Sequence, residues 1–562
     1  MSEEQTFGLP HSEFVDRVLS VGYLPEGVPP SFRAENLKTA SKDYLGLEKP
    51  ISTVTTEPVR YSASKRNGQR RLYSTPNPLA HIDLVNFLGR YSEEISEHFS
   101  HTKGSCSIPR PDKIGRRAYE IDSFSEFTAK RRLAFATSRY IVKTDISRYF
   151  PSIYTHSIPW ALNGKQAAKK DRKRNSTEVF GNWADFTTRQ SQDGQTVGIP
   201  VGPDTSRFLS EIIAVGIDRQ FQSLAGDKYP FIRLVDDIFV GVDSVDEGQT
   251  VQSMVREAIY QYELDINENK TEVLKGSYDV EPDWPYNLRT DLNPFIKSEN
   301  IELSDGLAIL DKVLNVANQQ NDEGVVKYAI RTLDKVVFWE DNWRVVEPFL
   351  VRAAISFPHS LDYVAWVVSS QNIFGEVDKR QWRTVIEKIL QLHGPNGHDF
   401  EVCWALWMAL ELNVDVDREL LSPIFERCNS FATILAMDRM KTSGNDSSIP
   451  RSKIREKLGD LPMRGPDWLL AYEGDRLFGL KIKTKNLKGH DLFGAMYAGG
   501  VSFYQAGVRA FPLKPKEGEK RSPAIPLSGA YDDEEMDDDL AEAVEDFLKH
   551  MGEGEIEIDY GF

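Results

Sequence analysis

The chain has 562 residues, of which 40% are hydrophobic and 27% charged, and a formal net charge of −17. This is the composition of an ordinary soluble protein, long enough for two or more domains. No apolar run nears the ~18 residues of a membrane span, and the first residues, Met-Ser-Glu-Glu-Gln, lack the charged start and apolar middle of a secretory signal. Cys106, Cys403 and Cys428 are too few and too scattered for a disulfide or zinc framework. A cytoplasmic protein with inert buried thiols and no membrane partner is expected.

A net charge of −17 argues against nucleic acid until its distribution is read. Between Asp532 and Asp559 lie 14 acidic residues and one lysine, a net of −13, which leaves −4 for the rest. Between Arg60 and Arg139, 15 Lys and Arg stand against 8 Asp and Glu. A basic face on a nearly neutral body suits a cleft for a nucleic-acid backbone. A solvated surface also carries such an excess.

Residues 1–55 form an N-terminal extension with Pro-rich loops near Pro25 to Pro30 and no visible chemistry. Residues 56–140 open with a basic stretch from Arg60 to Pro76. Asn67-Gly68 is a strong hairpin turn signal. It places Lys65 and Arg66 on one arm and Arg70 and Arg71 on the other. Cations on a hairpin suit the clamping of a triphosphate, arginine by bidentate contact. The run His81 to Phe99 has the period of an amphipathic helix. Arg110, Lys113, Arg116 and Arg117 form a further basic loop, which fits a phosphate track or plain solubility.

Residues 141–290 hold three stretches that matter together. Tyr140 to Phe150 is a β-rich run containing Asp145. Val197-Gly-Ile-Pro-Val-Gly-Pro-Asp-Thr-Ser206 is a Gly/Pro loop whose backbone can approach a base or sugar closely. Asp204, Thr205 or Ser206 is placed to cap the helix that follows, Arg207 to Phe221. Phe231-Ile-Arg-Leu-Val-Asp-Asp-Ile-Phe-Val240 reads as two strands with Asp236 and Asp237 at the tight turn. Neighbouring carboxylates repel, and a cation relieves the cost. Nucleotidyl transfer needs two divalent ions about 3.5–4 Å apart, and Mg²⁺ prefers carboxylate oxygens. Asp145 facing the Asp236-Asp237 hairpin would supply those ligands. Lys169 to Arg174 interrupts the region as an exposed loop or a nucleic-acid contact.

The order of these pieces resembles the palm of a polymerase, and specifically that of the reverse transcriptases. The basic hairpin then resembles the fingers. The resemblance implies that Asp145 and Asp236 bind both Mg²⁺ ions (Mn²⁺ being the alternative) with the backbone carbonyl of Ile146, and that Asp237 supports them. It implies nucleotide contacts from Lys65, Arg71, Phe150, Pro200, Gly202 and Lys270. Arg71, five residues before Pro76, matches the triphosphate-binding arginine, and Phe150, five after Asp145, matches the steric gate against a ribose 2′-hydroxyl. Lys270, in Leu264 to Val273, matches a lysine that lies near the phosphates or donates a proton to the leaving pyrophosphate. Two positions depart from the pattern: Leu234 stands where an aromatic usually precedes the Asp pair, and Val201 where a Gln is frequent. Both approach primer or template, so the resemblance leaves template and primer open.

Ser147, Arg148, Tyr149 and Pro151 to His156 also resemble the abortive-infection, or unknown-group, reverse transcriptases of bacterial defence. Tyr278 to Asn293 reads as a linker or small thumb. Residues 300–475 carry successive helical stripes, Leu307 to Ala317, Val325 to Val337, Trp343 to Ile355, Leu361 to Ser369, Trp382 to Leu392, Val402 to Leu412, Leu420 to Cys428 and Phe431 to Met440. They predict an all-α helical repeat. A C-terminal segment, 476–530, includes Tyr497 and Tyr504, and an acidic tail, 531–562, includes Tyr560. Those tyrosines are candidates by type alone for a priming hydroxyl.

The expected fold class is α+β, right-hand-like fingers and palm followed by an all-α repeat and an acidic tail. The expected function is RNA-directed or template-independent DNA polymerisation from dNTPs, protein-primed in one version, in antiviral defence. The implied partners are a DNA product, a non-coding RNA template and further copies of the chain. The rival readings are an RNA-directed RNA polymerase and a scaffold whose catalysis is dispensable.

Overall fold

The computed structural model describes residues 5–113, 117–277, 284–296, 302–375, 377–482, 491–507 and 524–525. The acidic tail and Tyr560 lie outside them.

After a short antiparallel pairing of Gln5–Thr6 with Leu9–Pro10 come helix α1 (His11–Leu19) and strand β1 (Phe32–Glu35). Strands β2 (Val59–Ser64) and β3 (Arg70–Thr75) form an antiparallel hairpin. Its connection is the five residues 65–69, with a 3-10 turn over Arg66–Gly68, so Lys65 and Arg66 lie in the turn rather than on an arm. Pro78 at the first helical position and the Asn77 side chain start α2 (Pro78–Arg90). The single helix predicted over His81 to Phe99 is two. The chain breaks at Tyr91, which stacks on Phe180 at 4.5 Å, and α3 (Ser92–Phe99) follows. Ser123 and Glu126 close a capping box at the head of α4 (Phe124–Ala134).

Strands β4 (Tyr140–Asp145), β5 (Phe231–Leu234), β6 (Asp237–Val242) and β7 (Glu272–Lys275) make one antiparallel sheet in the order β7-β4-β6-β5. Its two faces differ, as period-2 alternation requires. One face carries Val142, Ile238, Val240 and Arg233 and is covered by two helices, α5 (Asp204–Ala225) and α6 (Val245–Tyr260). Gly248 permits the close approach of α6, since a Cβ there would lie 3.1 Å from Val273. The other face carries Ile141, Phe239 and Ile232, packed with Phe127 of α4, and ends in Asp145 and Asp237.

After the sheet, Trp284–Ile296 is helical, with Trp284, Leu288 and Leu292 buried at a spacing of four. The helix falls in the segment that reads as a linker or small thumb, where Pro/Asp/Asn content masks its stripe. All eight predicted stripes are helices, and together with Trp468–Phe478 they stack in two rows. Leu303–Gln320, Trp339–Ser356, Lys379–His393 and Arg418–Arg427 form one row; Gly324–Lys335, Leu361–Asn372, Asp399–Glu411, Ser430–Thr442 and Trp468–Phe478 form the other. The second row also packs on the β2–β3 hairpin. Asp399 accepts from the Ser62 backbone N–H at 2.8 Å, and Asn429 donates to the Arg60 carbonyl at 2.7 Å. Ser502–Tyr504 pairs with β1 in a small two-stranded sheet, so a late segment closes back onto an early one. The main apolar core runs from Leu9 to Ile525, and the cluster around Phe127 and Phe239 on the other face of the sheet is separate from it. The three cysteines are free and buried, and among the described residues no helix is long and apolar enough to cross a membrane.

Candidate active site

Asp145 ends β4 and Asp237 begins β6, and the two are directly opposite partners in the ladder. Opposed residues of an antiparallel pair have Cα atoms roughly 4.5–5.5 Å apart. Asp236 occupies the two-residue turn with Val235, whose φ of 55° is left-handed and costly for a β-branched side chain. The Ile146 N–H donates to the Asp236 carbonyl at 3.1 Å, joining the end of β4 to that turn. The sequence-predicted carboxylates therefore meet at one corner of the sheet, on the face opposite α5 and α6.

The site is short of positive charge. Burial first, then Asp237 and Asp145, push the Asp236 carboxyl up to about 6. Burial and Asp145 also raise Asp237, against Lys270, Lys143 and Lys65. Lys270 Nζ lies 2.9 Å from one oxygen of Asp145, and Asn267 Nδ2 lies 3.1 Å from the other. Among the described residues, the three carboxylates do not form a set of ligand atoms all within 4.8 Å of one another. Like charges keep apart, and Lys270 and Asn267 already hold Asp145. An all-oxygen donor set with raised carboxyl pKa values fits a hard divalent cation such as Mg²⁺ or Mn²⁺. Asp145, Asp236 and Asp237 are the carboxylates that such a cation would meet at this corner.

Opposite the carboxylates stand cations of the β2–β3 hairpin. Lys65 is lowered by burial first and then by Arg71 and Lys270, against the pull of Asp236 and Asp145. All five groups thus share one field. Arg71 is exposed, and Arg70, one residue before it, points away to Glu401. Phe150 is half-buried beside Tyr149. The Gly/Pro loop is tied to it, since the Ile199 N–H donates to the Phe150 carbonyl at 3.0 Å, and to the hairpin, since the Ser74 N–H donates to the Val201 carbonyl at 2.8 Å. Pro200 is buried, and Gly202 has φ 130° with a Cβ-free approach to Pro25. The loop therefore bridges palm and hairpin.

Other expectations are corrected. Asp204 does not cap α5; it is the first helical residue, fully buried, and accepts from Arg117 at 2.6 Å and from the Ala118 and Tyr119 N–H groups. Arg117 and Arg110 are internal ion-pair partners, Arg110 of Glu120, Asp122 and Glu126, rather than a phosphate track. Arg116 lies outside the described residues. Lys169 and Lys170 end a short helix, Lys165–Lys170, and only 171–174 are loop; Lys169 lies over Trp160 and Arg174 over Phe186. Tyr504 is buried with its hydroxyl on Asp438 at 2.5 Å, which removes it as a priming group; Tyr497 is exposed.

Two supports escaped the sequence reading. Asn267 was in view as part of the Lys270 stretch but without a role. Arg233, a lone charge inside an apolar run, was the visible signal for a buried network. It is fully buried and bonds Glu211 and Asp218 of α5 at 2.8–3.0 Å, and its Nη1 also donates to the Val235 carbonyl at 3.2 Å.

Residues 109–300 match the family described as Reverse transcriptase (RNA-dependent DNA polymerase). The chain carries a reverse transcriptase domain. That domain is the fold of a nucleotidyltransferase, and its match spans the sheet and all three carboxylates. No curated protein matches the sequence. Similar solved structures include apo telomerase from Candida tropicalis, at 10% identity and a TM-score of 0.30, covering 75% of this chain and 72% of that one. Telomerase from Candida albicans in complex with a TWJ fragment of telomeric RNA aligns at 12% identity and a TM-score of 0.26, over 58% of this chain and 63% of that one. The C. tropicalis telomerase truncated from its C-terminal domain aligns at 13% identity and a TM-score of 0.26, over 44% of this chain, which spans 56% of it. The assignment rests on the family match.

Proposed function

We propose that this reverse transcriptase domain is an active DNA polymerase that joins dNTPs to a primer or protein hydroxyl with release of pyrophosphate. The observation that carries the reading is the pairing of Asp145 with Asp237 across β4 and β6, with Asp236 at the adjoining turn and Lys65, Arg71 and Lys270 in the same field. Asp145, Asp236 and the Ile146 carbonyl would hold the divalent cations, with Asp237 supporting the site. When bound, such ions activate the attacking oxygen and steady the leaving one.

The chain's own groups do the rest. Arg71 and Lys65 grip the triphosphate from the hairpin, and bidentate arginine fixes its orientation. Phe150, held by the Gly/Pro loop, meets the sugar and disfavours a 2′-hydroxyl. Lys270, poised on Asp145, moves to the leaving phosphate and keeps a proton there. Burial opposes its charge, but the bond to Asp145 and the carboxylates raise its pKa, so the proton is present at neutral pH. The helical rows hold the hairpin through Asp399, Asn429 and Glu401.

The resemblance of Ser147 to His156 to abortive-infection reverse transcriptases supports a place in anti-phage defence, a non-coding RNA template or none, and assembly of several copies through the helical rows. The test is incubation of purified protein with Mg²⁺ and single labelled dNTPs or rNTPs, with and without RNA, followed by protease digestion. dNTP incorporation is expected, and label lost on digestion marks a protein primer. Incorporation of rNTPs alone contradicts the reading and identifies an RNA polymerase.

A further inference from the structure

The turn between Lys379–His393 and Asp399–Glu411 gathers a second cluster of ligating groups, remote in sequence from the carboxylate corner. His393, His398 and Glu401 each offer one ligand atom, and these atoms all lie within 4.8 Å of one another. His393 Nδ1 and His398 Nδ1 are 2.8 Å apart, and His393 Nδ1 is 3.8 Å from Glu401 Oε1. The elements beneath are fixed. His393 ends one helix, His398 precedes the next and Glu401 sits in its first turn. The five-residue turn needs its glycines: Gly397 has φ 63°, and a Cβ on Gly394 would lie 2.7 Å from the Leu390 carbonyl oxygen.

The chemistry of the set is that of a borderline cation. Two imidazoles and a carboxylate form the three-ligand group of an open tetrahedral zinc site. Burial lowers both imidazole pKa values, which keeps them neutral, the form that ligates. Glu401 is almost wholly buried and His393 nearly so, while His398 is half-exposed and leaves a way in. Glu401 also accepts from Arg70 Nη1 at 2.5 Å and Nη2 at 3.0 Å. A carboxylate has about four acceptor positions, enough to bridge a guanidinium and a metal. The guanidinium then orients the ligand from outside. Asp399, close enough to feel both Arg70 and Glu401, adds a second carboxylate to the local balance.

We propose that His393, His398 and Glu401 form a Zn²⁺ site that pins the second helical row to the β2–β3 hairpin through Arg70. The site is independent of the polymerase carboxylates. Untagged full-length protein, stripped with a chelator and dialysed against Zn²⁺, is expected to retain one equivalent by elemental analysis, and to show a visible ligand-field absorption when loaded with Co²⁺. An Asp145→Asn/Asp236→Asn variant should retain both signals. His393→Ala and His398→Gln should each weaken zinc binding at least tenfold while keeping the wild-type far-UV circular dichroism. The half-exposed position of His398 makes the second variant the safer for folding. Failure of wild-type protein to retain zinc overturns the proposal, as does full retention by His398→Gln. Either leaves the imidazoles as a direct hydrogen-bonded pair and leaves the polymerase reading untouched.

Discussion

Replacing Arg233 by Met tests how the Asp-Asp turn is held. The guanidinium is fully buried and makes four bonds to Glu211 and Asp218 at 2.8–3.0 Å. Its removal leaves two carboxylates in the interior, Glu211 bonded by Ser105 and Asp218 by Thr102. Breaking a buried ion pair from one side costs about 3–5 kcal/mol, most of it the uncompensated charge. Replacing the whole triad by apolar residues is often close to neutral. Urea unfolding followed by tryptophan fluorescence should therefore show a loss of about 3–5 kcal/mol for Arg233→Met, with at least half recovered in Arg233→Met/Glu211→Met/Asp218→Leu. Activity should behave differently. Both variants lose the bond to the Val235 carbonyl, and a displacement near 1 Å at a catalytic group lowers rate by roughly 10²-fold. The triple variant should thus be stable but slow in dNTP incorporation. A single variant within about 1 kcal/mol of wild type, or a triple variant no more stable than the single, refutes the argument.

Three further outcomes follow from the same geometry. Phe150→Val should raise the ratio of rNTP to dNTP incorporation at least tenfold, read from single-nucleotide kinetics; an unchanged ratio removes Phe150 as the sugar gate. Mg²⁺ or Mn²⁺ should raise the melting temperature of wild-type protein and not that of Asp145→Asn/Asp236→Asn, because a ligand of the folded state alone stabilises it. Burial holds the imidazoles of His81 and His98 down to about 4, from near 6.5 when unfolded. A depressed folded pKa gives stability that is whole above pH 6.5 and is lost as pH falls toward 4, up to ~3 kcal/mol for each. His81→Gln should flatten the stability curve across that window, and an unaltered slope contradicts the assignment.

Much of the site could be read from the chain because its parts are local. Two strands with a tight turn, a strand ending in Asp145 and a hairpin at Asn67-Gly68 each announce themselves in under a dozen residues, and the helical stripes do so by period alone. The losses were of three kinds. Arg117 and Arg110 looked like surface charge because their partners, Asp204 and Glu126 among them, come from elsewhere in the fold. Trp284, Leu288 and Leu292 were hidden among prolines and aspartates that favour loops. The docking of the second helical row on β2 left no trace, since helices buried on all sides, such as Ser430–Thr442, show no polar face to orient them.

The central claim is that the corner shared by Asp145, Asp236 and Asp237 performs metal-dependent nucleotidyl transfer. It is tested most directly by comparing labelled dNTP incorporation in Mg²⁺ between wild-type protein and Asp236→Asn, both shown to be folded. The account predicts incorporation by the first and a drop of at least a hundredfold in the second, abolished in both by a chelator. Equal incorporation by the two proteins would place the chemistry elsewhere in the chain.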